Sequence, residues 1–159
     1  MNLVTERCIV RNFMLNDVND LYKTLSDEEV MKYIEPAFDM EKTKEFIMKA
    51  GLCETPMVYA LVWKENDKVI GHVIFHSYAE DSYEIGWVIN KEYWGKGIAD
   101  EVTEHLVKYA QKLEISSCVI ECTAEQLASK HIAEKNGFIY KKQDEGCDVY
   151  QLDFKSDGS

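Results

Sequence analysis

The run Tyr83-Glu84-Ile85-Gly86-Trp87-Val88-Ile89-Asn90-Lys91-Glu92-Tyr93-Trp94-Gly95-Lys96-Gly97-Ile98-Ala99-Asp100 changes character twice within its own length. Its first half is rich in β-branched and aromatic residues and reads as a strand. Its end opens a helix, because Ile98, Val102, Leu106, Ala110 and Leu113 recur at helical spacing. Between them lies a turn of small residues. A strand that enters a glycine turn at a helix N-terminus can hold an anion, since unpaired backbone N–H groups and the positive end of the helix dipole converge there. Gly95, Gly97 and Ala99 add little bulk, so a phosphate can approach the backbone closely. Two readings of the turn stand side by side: an anion cradle, or a tight turn that carries glycine for backbone reasons. A dinucleotide fingerprint is excluded because Asp100 stands where the third glycine belongs, and no Gly-Lys-Ser/Thr follows to make a Walker loop.

The rest of the chain sets the frame. With 159 residues, 46% of them hydrophobic and 30% charged, it has the composition of one soluble globular domain with a real core. The formal net charge of −11 argues against a nucleic-acid partner, whose footprint would be basic. It suits a cationic partner such as an amine or a basic peptide, and it also serves plain solubility. The N-terminus has no basic region followed by an apolar run, and no stretch approaches the roughly 20 apolar residues that cross a bilayer. Five irregularly spaced cysteines point to reduced thiols, so a cytoplasmic location and no membrane partner are expected.

Taken in order, Thr5 to Phe13 reads as a strand with Cys8 and Val10 on one face. A short helix from Asp17 follows, then a second capped helical piece from Ser26-Asp27 through Tyr33 that Pro36 ends. Met40 to Leu52 reads as a helix with Met40, Phe46, Ile47 and Ala50 buried. Runs from Met57 to Trp63 and Val69 to Tyr78 flank Glu65-Asn66-Asp67-Lys68, a hairpin signal. After the Glu80-Asp81-Ser82 turn come the opening strand, a helix from Gly97 to Leu113 and a strand from Ile115 to Cys122. That order makes a right-handed βαβ crossover with two parallel strands. A helix from Glu125 to Lys135, capped by Asn136-Gly137, leads to a final hairpin, Phe138 to Lys141 and Cys147 to Phe154. The expected fold is α+β: one domain over residues 1–154, a mostly antiparallel sheet with one parallel βαβ step and flanking helices. Residues 155–159 are expected to be a disordered tail. Ligands tend to sit at the carboxyl ends of such parallel strands, which is where the glycine turn lies.

Tyr83-Glu84-Ile85-Gly86-Trp87 through Tyr93-Trp94-Gly95-Lys96-Gly97-Ile98-Ala99 resembles the acetyl-CoA-binding motif of the GNAT superfamily of N-acetyltransferases. Ser129 through Lys135-Asn136-Gly137-Phe138 resembles its second motif. Thr5-Glu6-Arg7, Arg11 and Ser26-Asp27-Glu28-Glu29-Val30-Met31-Lys32-Tyr33 are similar to the branch that contains the ribosomal-protein N-terminal (alanine/serine) acetyltransferases. The resemblance spans about Leu3 to Phe154. It implies an N-acetyltransferase that binds acetyl-CoA and passes its acetyl group directly to a primary amine in a ternary complex. The acceptor would be a protein N-terminus or a small cationic amine.

By that resemblance, backbone groups of Trp94, Gly95, Lys96, Gly97, Ile98, Ala99 and Asp100 would hold the CoA pyrophosphate. A backbone N–H near Val88 or Ile89 would face the thioester carbonyl and steady the oxyanion. Trp94 departs from the usual Gln or Arg of the motif. Asp100 brings a carboxylate toward the phosphates, which Lys96 is expected to offset. Glu84 is either a water-mediated general base or a solvent-facing or capping glutamate. Ser129 either lies near the CoA sulfur or is a helix-surface serine, and Ala133 stands where much of the superfamily has a tyrosine acid. Gln126 is either a cofactor contact or part of a Thr123–Gln126 capping box. Tyr33, Glu35, Phe38 and Glu84 would contact the acceptor. His72 and His76 share a strand face but lie about 13 Å apart, so no metal site is expected. His105 and His131 read as surface residues without partners. The oligomeric state is expected to be monomer or homodimer, with the strands of the final hairpin as exposed edges. The alternative function is a catalytically silent CoA-binding or protein-interaction module of the same fold, to which Ala133 and Asp100 lend support.

Overall fold

Strand alternation organises this molecule, because its central strands bury side chains on both faces. The computed structural model describes residues 1–154, and the expected tail at 155–159 lies outside the described residues. The strands are β1 (Asn2–Val4), β2 (Cys8–Arg11), β3 (Val58–Trp63), β4 (Lys68–Ala79), β5 (Ser82–Ile89), β6 (Ser117–Cys122), β7 (Ile139–Asp144) and β8 (Cys147–Asp153). The helices are α1 (Val18–Leu25), α2 (Met40–Phe46), α3 (Ile98–Lys112) and α4 (Leu127–Lys135). All strands join one sheet in the order β1-β2-β3-β4-β5-β6-β8-β7. Neighbours are antiparallel except β5 and β6, which the α3 crossover makes parallel. This is the α+β architecture expected from element order.

Each face of the sheet has its own core. Odd-numbered side chains of β5, such as Ile85 and Ile89, pack with Ile98, Val102 and Leu106 of α3 and with Cys118 and Ile120 of β6. Even-numbered Val88 packs on the opposite face with Leu21, Leu25, Phe38 and Ile47. The N-terminal turn of α3 is tied to the first hairpin, where Glu101 accepts from Thr5 Oγ1 at 2.7 Å, Arg7 N at 2.9 Å and Arg7 Nε at 2.7 Å.

Several expectations need correction. The piece from Ser26 to Tyr33 is a run of turns, not a helix. Asp27 does accept from the N–H groups of Glu29 (2.8 Å) and Val30 (3.3 Å), but the backbone bonds that follow, Met31 N to Asp27 O, Lys32 N to Glu29 O and Ile34 N to Met31 O, mix four- and three-residue spans and make no continuous helical ladder. Met40 is exposed, because α2 starts there under an Asp39 cap (Lys42 N to Asp39 Oδ1, 2.7 Å). Ile47 carries the burial, at the start of a π-helical turn, Ile47–Gly51. The helix of the second motif begins at Leu127 rather than Glu125. His105 is not partnerless, since its Nε2 lies 2.7 Å from Glu6 Oε2. In the final hairpin only β7 is an edge, exposed along its length, because β8 inserts between β6 and β7. All five cysteines are free thiols. Among the described residues no helix is long and apolar enough to cross a membrane.

Candidate active site

The parallel pair β5–β6 is short. Its register runs only through Ser82↔Ser117, Tyr83↔Cys118 and Glu84↔Val119, although β5 continues to Ile89 and β6 to Cys122. Beyond Glu84 the two strands part and leave a cleft in the middle of the sheet. Two hydrogen bonds fix which backbone groups of β5 face that cleft. Asn90 donates its N–H to Ile70 on β4 at 2.7 Å, and the Asp81 carbonyl accepts from Ser116 N on the β6 side at 3.0 Å. Alternation then turns Val88 N–H toward β4 and aims Trp87 and Ile89 at the cleft. Of the two residues expected to face a thioester carbonyl, the fold therefore leaves Ile89 available. The carbonyl of Ile89 is taken by Trp94, whose indole Nε1 donates to it at 2.8 Å across the opening.

On the α3 side the cleft opens into a groove of about 700 Å³. Its lining includes Ile89, Trp94, Gly95, Gly97, Ile98, Ala99 and Asp100, together with Gln126, Ser129 and Lys135 from the second motif. Gly95 and Gly97 both adopt left-handed φ, +75° and +77°, so glycine is needed there to turn the chain into α3. A Cβ on Gly95 would meet nothing within 4 Å, which leaves the turn open to a ligand. The first N–H groups of α3, a 15-residue helix, have no intrahelical acceptors and face this opening. The turn thus fits a phosphate in shape and in donors.

Asp100 does not confront that opening unpaired. Its carboxylate accepts from Lys135 Nζ at 2.8 Å and Asn136 Nδ2 at 2.9 Å, and these bonds hold its pKa below the ordinary aspartate value. The charge is offset by Lys135 rather than by Lys96, which is exposed and is not among the groove-lining residues. The hydrogen bonds join the two motifs to each other. Lys135 was visible only as a motif letter, because its partner lies on another helix.

On the α1/α2 side lies a second cavity of about 330 Å³. Tyr33, Glu35, Phe38, Phe46, His72, Ile74, Glu84, Gly86 and Glu121 line it. Six residues, Tyr33, Ile34, Trp87, Val88, Gln126 and Ser129, line both spaces, so the groove and the cavity meet at the cleft. Glu84 sits where the strands begin to part, with its side chain 19% exposed and Oε1 3.8 Å from His76 Nε2. Burial raises its pKa above the usual glutamate value; His76 pulls it down and neighbouring Glu121 pushes it up. A half-buried carboxylate of this kind is suited to accept a proton near neutral pH.

Gln126 takes the expected capping role in part: its Oε1 accepts the Thr123 N–H at 2.8 Å, while Thr123 Oγ1 has no partner, so only half of the box is made. Ser129 lies partly buried in the first turn of α4, and Ala133 is fully buried. Glu35 pairs with Lys42 at 3.2 Å. Among the described residues no group of His, Cys, Asp or Glu could hold a metal ion. Nothing in the local sequence marks Glu121, and His72 stands out there only as a metal-ligand candidate. Register alone brings them to this cavity: His72 pairs with Val88, and Glu121 shares the sheet face of Glu84.

Comparison with known proteins places these features in context. Residues 7–139 match the Acetyltransferase (GNAT) domain family. The chain is 33% identical over 140 residues to the uncharacterized N-acetyltransferase YnaD of Bacillus subtilis (strain 168), covering 86% of this chain and 82% of that protein. It is 32% identical over 100 residues to the ribosomal-protein-serine acetyltransferase of Escherichia coli (strain K12), covering 61% and 52%. The crystal structure of an acetyltransferase (GNAT family) from Bacillus anthracis superposes with a TM-score of 0.85 at 29% identity, over 95% of this chain and 96% of that one.

Proposed function

Because the chain belongs to the GNAT acetyltransferase family, we propose that it carries the acetyl group of acetyl-CoA directly to a primary amine, with Glu84 as general base. The observation that carries this reading is the position of Glu84: a half-buried carboxylate at the parting of β5 and β6, between a phosphate-fitted groove and an acidic, apolar cavity. The pyrophosphate sits on the N–H groups from Gly95 to Asp100, and the pantetheine arm lies in the cleft. Ile89 N–H faces the thioester carbonyl and steadies the developing oxyanion. A lysine-like amine, with a pKa near ~10.4, gives its proton through water to Glu84 and attacks. The N–C bond forms as the carbonyl electrons move onto oxygen, and the C–S bond breaks as the carbonyl re-forms and expels the CoA thiolate. The departing thiolate, of a kind with pKa near ~8.5, takes a proton from solvent, directly or relayed through the Ser129 hydroxyl as water returns a proton to it.

Tyr33, Glu35 and Phe38 are acceptor contacts in this reading. The acceptor is a small cationic amine or a protein N-terminus, the latter favoured by the similarity to a ribosomal-protein-serine acetyltransferase. A silent CoA-binding module is the second reading, favoured by Ala133 at the place of a tyrosine acid. Initial rates measured while acetyl-CoA and amine are both varied separate the possibilities. Intersecting double-reciprocal lines fit direct transfer, parallel lines contradict it, and a CoA-dependent rise in melting temperature without transfer selects the silent module.

A further inference from the structure

His76 on β4 and Glu84 on β5 are direct cross-strand partners on the α1/α2 face of the sheet, with His76 Nε2 3.8 Å from Glu84 Oε1. The other ring nitrogen, Nδ1, lies 3.0 Å from the carbonyl oxygen of Ser77. A carbonyl only accepts, so Nδ1 carries the hydrogen and the neutral ring turns the lone pair of Nε2 toward Glu84. A carboxylate is likewise only an acceptor. Two acceptors that face each other call for a proton between them, so the pair takes up its first proton jointly. The gap is longer than a hydrogen bond. The last torsion of a glutamate is soft, however, and such contacts tighten when substrate binds.

The surroundings give that proton a direction. Glu84 lines the cavity on the α1/α2 side, whereas His76 is not among the residues lining the cavity or the groove. Its side chain is nonetheless 22% exposed, so it meets water by another route. Burial pushes the Glu84 carboxyl up, His76 pulls it down, and Glu121 on β6 pushes it up again. Cys147 on β8 and Tyr78 on β4 also sense these carboxylates, and burial first, then the carboxylates, keep both neutral. Glu35 lines the same cavity and is paired with Lys42 at 3.2 Å. Of the groups that bear on Glu84, His76 alone is a nitrogen base.

We propose that His76 is a positioning residue acting through Glu84: its Nε2 takes from Glu84 the proton that the attacking amine gives up and passes it to solvent. This rests on the acetyl-transfer reading of the same site. The ammonium of the acceptor loses one proton through water to Glu84. The Glu84 O–H bond then breaks as the Nε2–H bond forms, which restores the carboxylate and leaves an imidazolium. The imidazolium returns its Nε2 proton to bulk water, with Nδ1–H still held by Ser77. Each turnover thus sends out one proton by a path that the bound acceptor does not block.

The test uses the whole protein with two acceptors, a peptide with N-terminal serine and spermidine, and follows acetylated product by mass spectrometry. In His76→Gln, whose amide cannot carry the proton, kcat falls about tenfold or more while both KM values stay within about twofold. A CoA-dependent rise in melting temperature marks the variant as folded. The acid limb of kcat/KM moves to lower pH, because two coupled sites take up a first proton more readily than one. Were His76 only a nearby charge that lowers the Glu84 pKa, the limb would move the other way. Imidazole restores the rate of His76→Ala in proportion to its concentration; pyrazole, of the same shape but too weak a base, does not. Carbon and nitrogen NMR need no turnover. In the wild type the Glu84 carboxyl carbon and the His76 ring nitrogens respond over a shared pH interval, and in His76→Gln the Glu84 carbon follows a single step. An acid limb that stays or rises, a rate loss that imidazole does not relieve, or a Glu84 curve unaltered in His76→Gln overturns the inference while leaving acetyl transfer standing. A shared response without any acetylated product supports the proton-sharing pair and sinks the transfer reading. Neither shared response nor product overturns the inference.

Discussion

The two faces of the sheet differ in how they meet the cleft. On the α3 face, Ile85, Ile89, Ile98, Val102 and Leu106 form a closed core, and the site above it is made largely of backbone: left-handed glycines and the free N–H groups of a helix start. On the α1/α2 face the core stops short at the cavity, and the site is made of side chains drawn from β4, β5, β6, α2 and the turns after α1. Backbone donors suit a group that every relative must bind, such as a pyrophosphate. Side chains from scattered elements suit a ligand that differs between relatives. One protein thus presents a general face and a particular one, joined where β5 and β6 part.

If this division is right, Glu84→Gln produces the largest effect. It should lower kcat by about 10²-fold or more while leaving acetyl-CoA affinity unchanged, which steady-state kinetics and calorimetry check. The pH profile sharpens the point. The folded-state pKa of Glu84 is raised, so its protonated form is favoured and the acid limb of kcat/KM falls above the ordinary 4.5, a limb that Glu84→Gln should abolish. The sign for stability is opposite to that of a salt-bridged carboxylate. The benefit of a raised pKa is full below the unfolded value and is lost as pH rises through the folded one, so at pH 7 Glu84→Gln should melt slightly higher than wild type.

Leu106→Ala tests the closed face. Leu106 is fully buried, and its truncation should cost about 2–5 kcal/mol, read as a fall in melting temperature on the order of 10 °C, with little change in acceptor KM. Gly97→Ala should be milder. Its Cβ would lie 3.7 Å from Arg7 Nη2, an ordinary contact, so the penalty is the left-handed φ, roughly 1–2 kcal/mol, together with a rise in KM for acetyl-CoA and none for the amine. A rise in amine KM alone would break the assignment of the two faces. Lys135→Met should have the smallest effect, roughly a two- to fivefold weaker acetyl-CoA affinity as Asp100 loses its cation.

The backbone-built face was legible in the sequence because its signals are local. Gly95, Gly97 and the apolar spacing from Ile98 to Leu106 lie within a dozen consecutive residues, and they specify turn, helix and buried stripe together. The parallel step followed from the length of the crossover. What escaped was set by register and by distant partners. Nothing near Asp100 announces Lys135 and Asn136, and nothing near Val88 tells which N–H faces the cleft until Asn90 is seen bonded to Ile70. His72 reads as one more polar residue in β4 until its nitrogen is found buried and alone. The segment after Asp27 differs for a related reason, since its capping signal is real but the backbone bonds behind it mix three- and four-residue spans instead of running on as a helix.

The most direct test of direct acetyl transfer to a primary amine is a mass-spectrometric search for acetylated products. Acetyl-CoA would be incubated with N-terminal peptides, polyamines, aminoglycosides, free amino acids and hydroxylated alkylamines, and the intact protein would be weighed in the same samples. The account predicts an N-acetylated amine formed in step with CoA release and an unmodified protein mass. CoA release without an acetylated amine, or an acetyl group retained on one of the five cysteines during turnover, would contradict it.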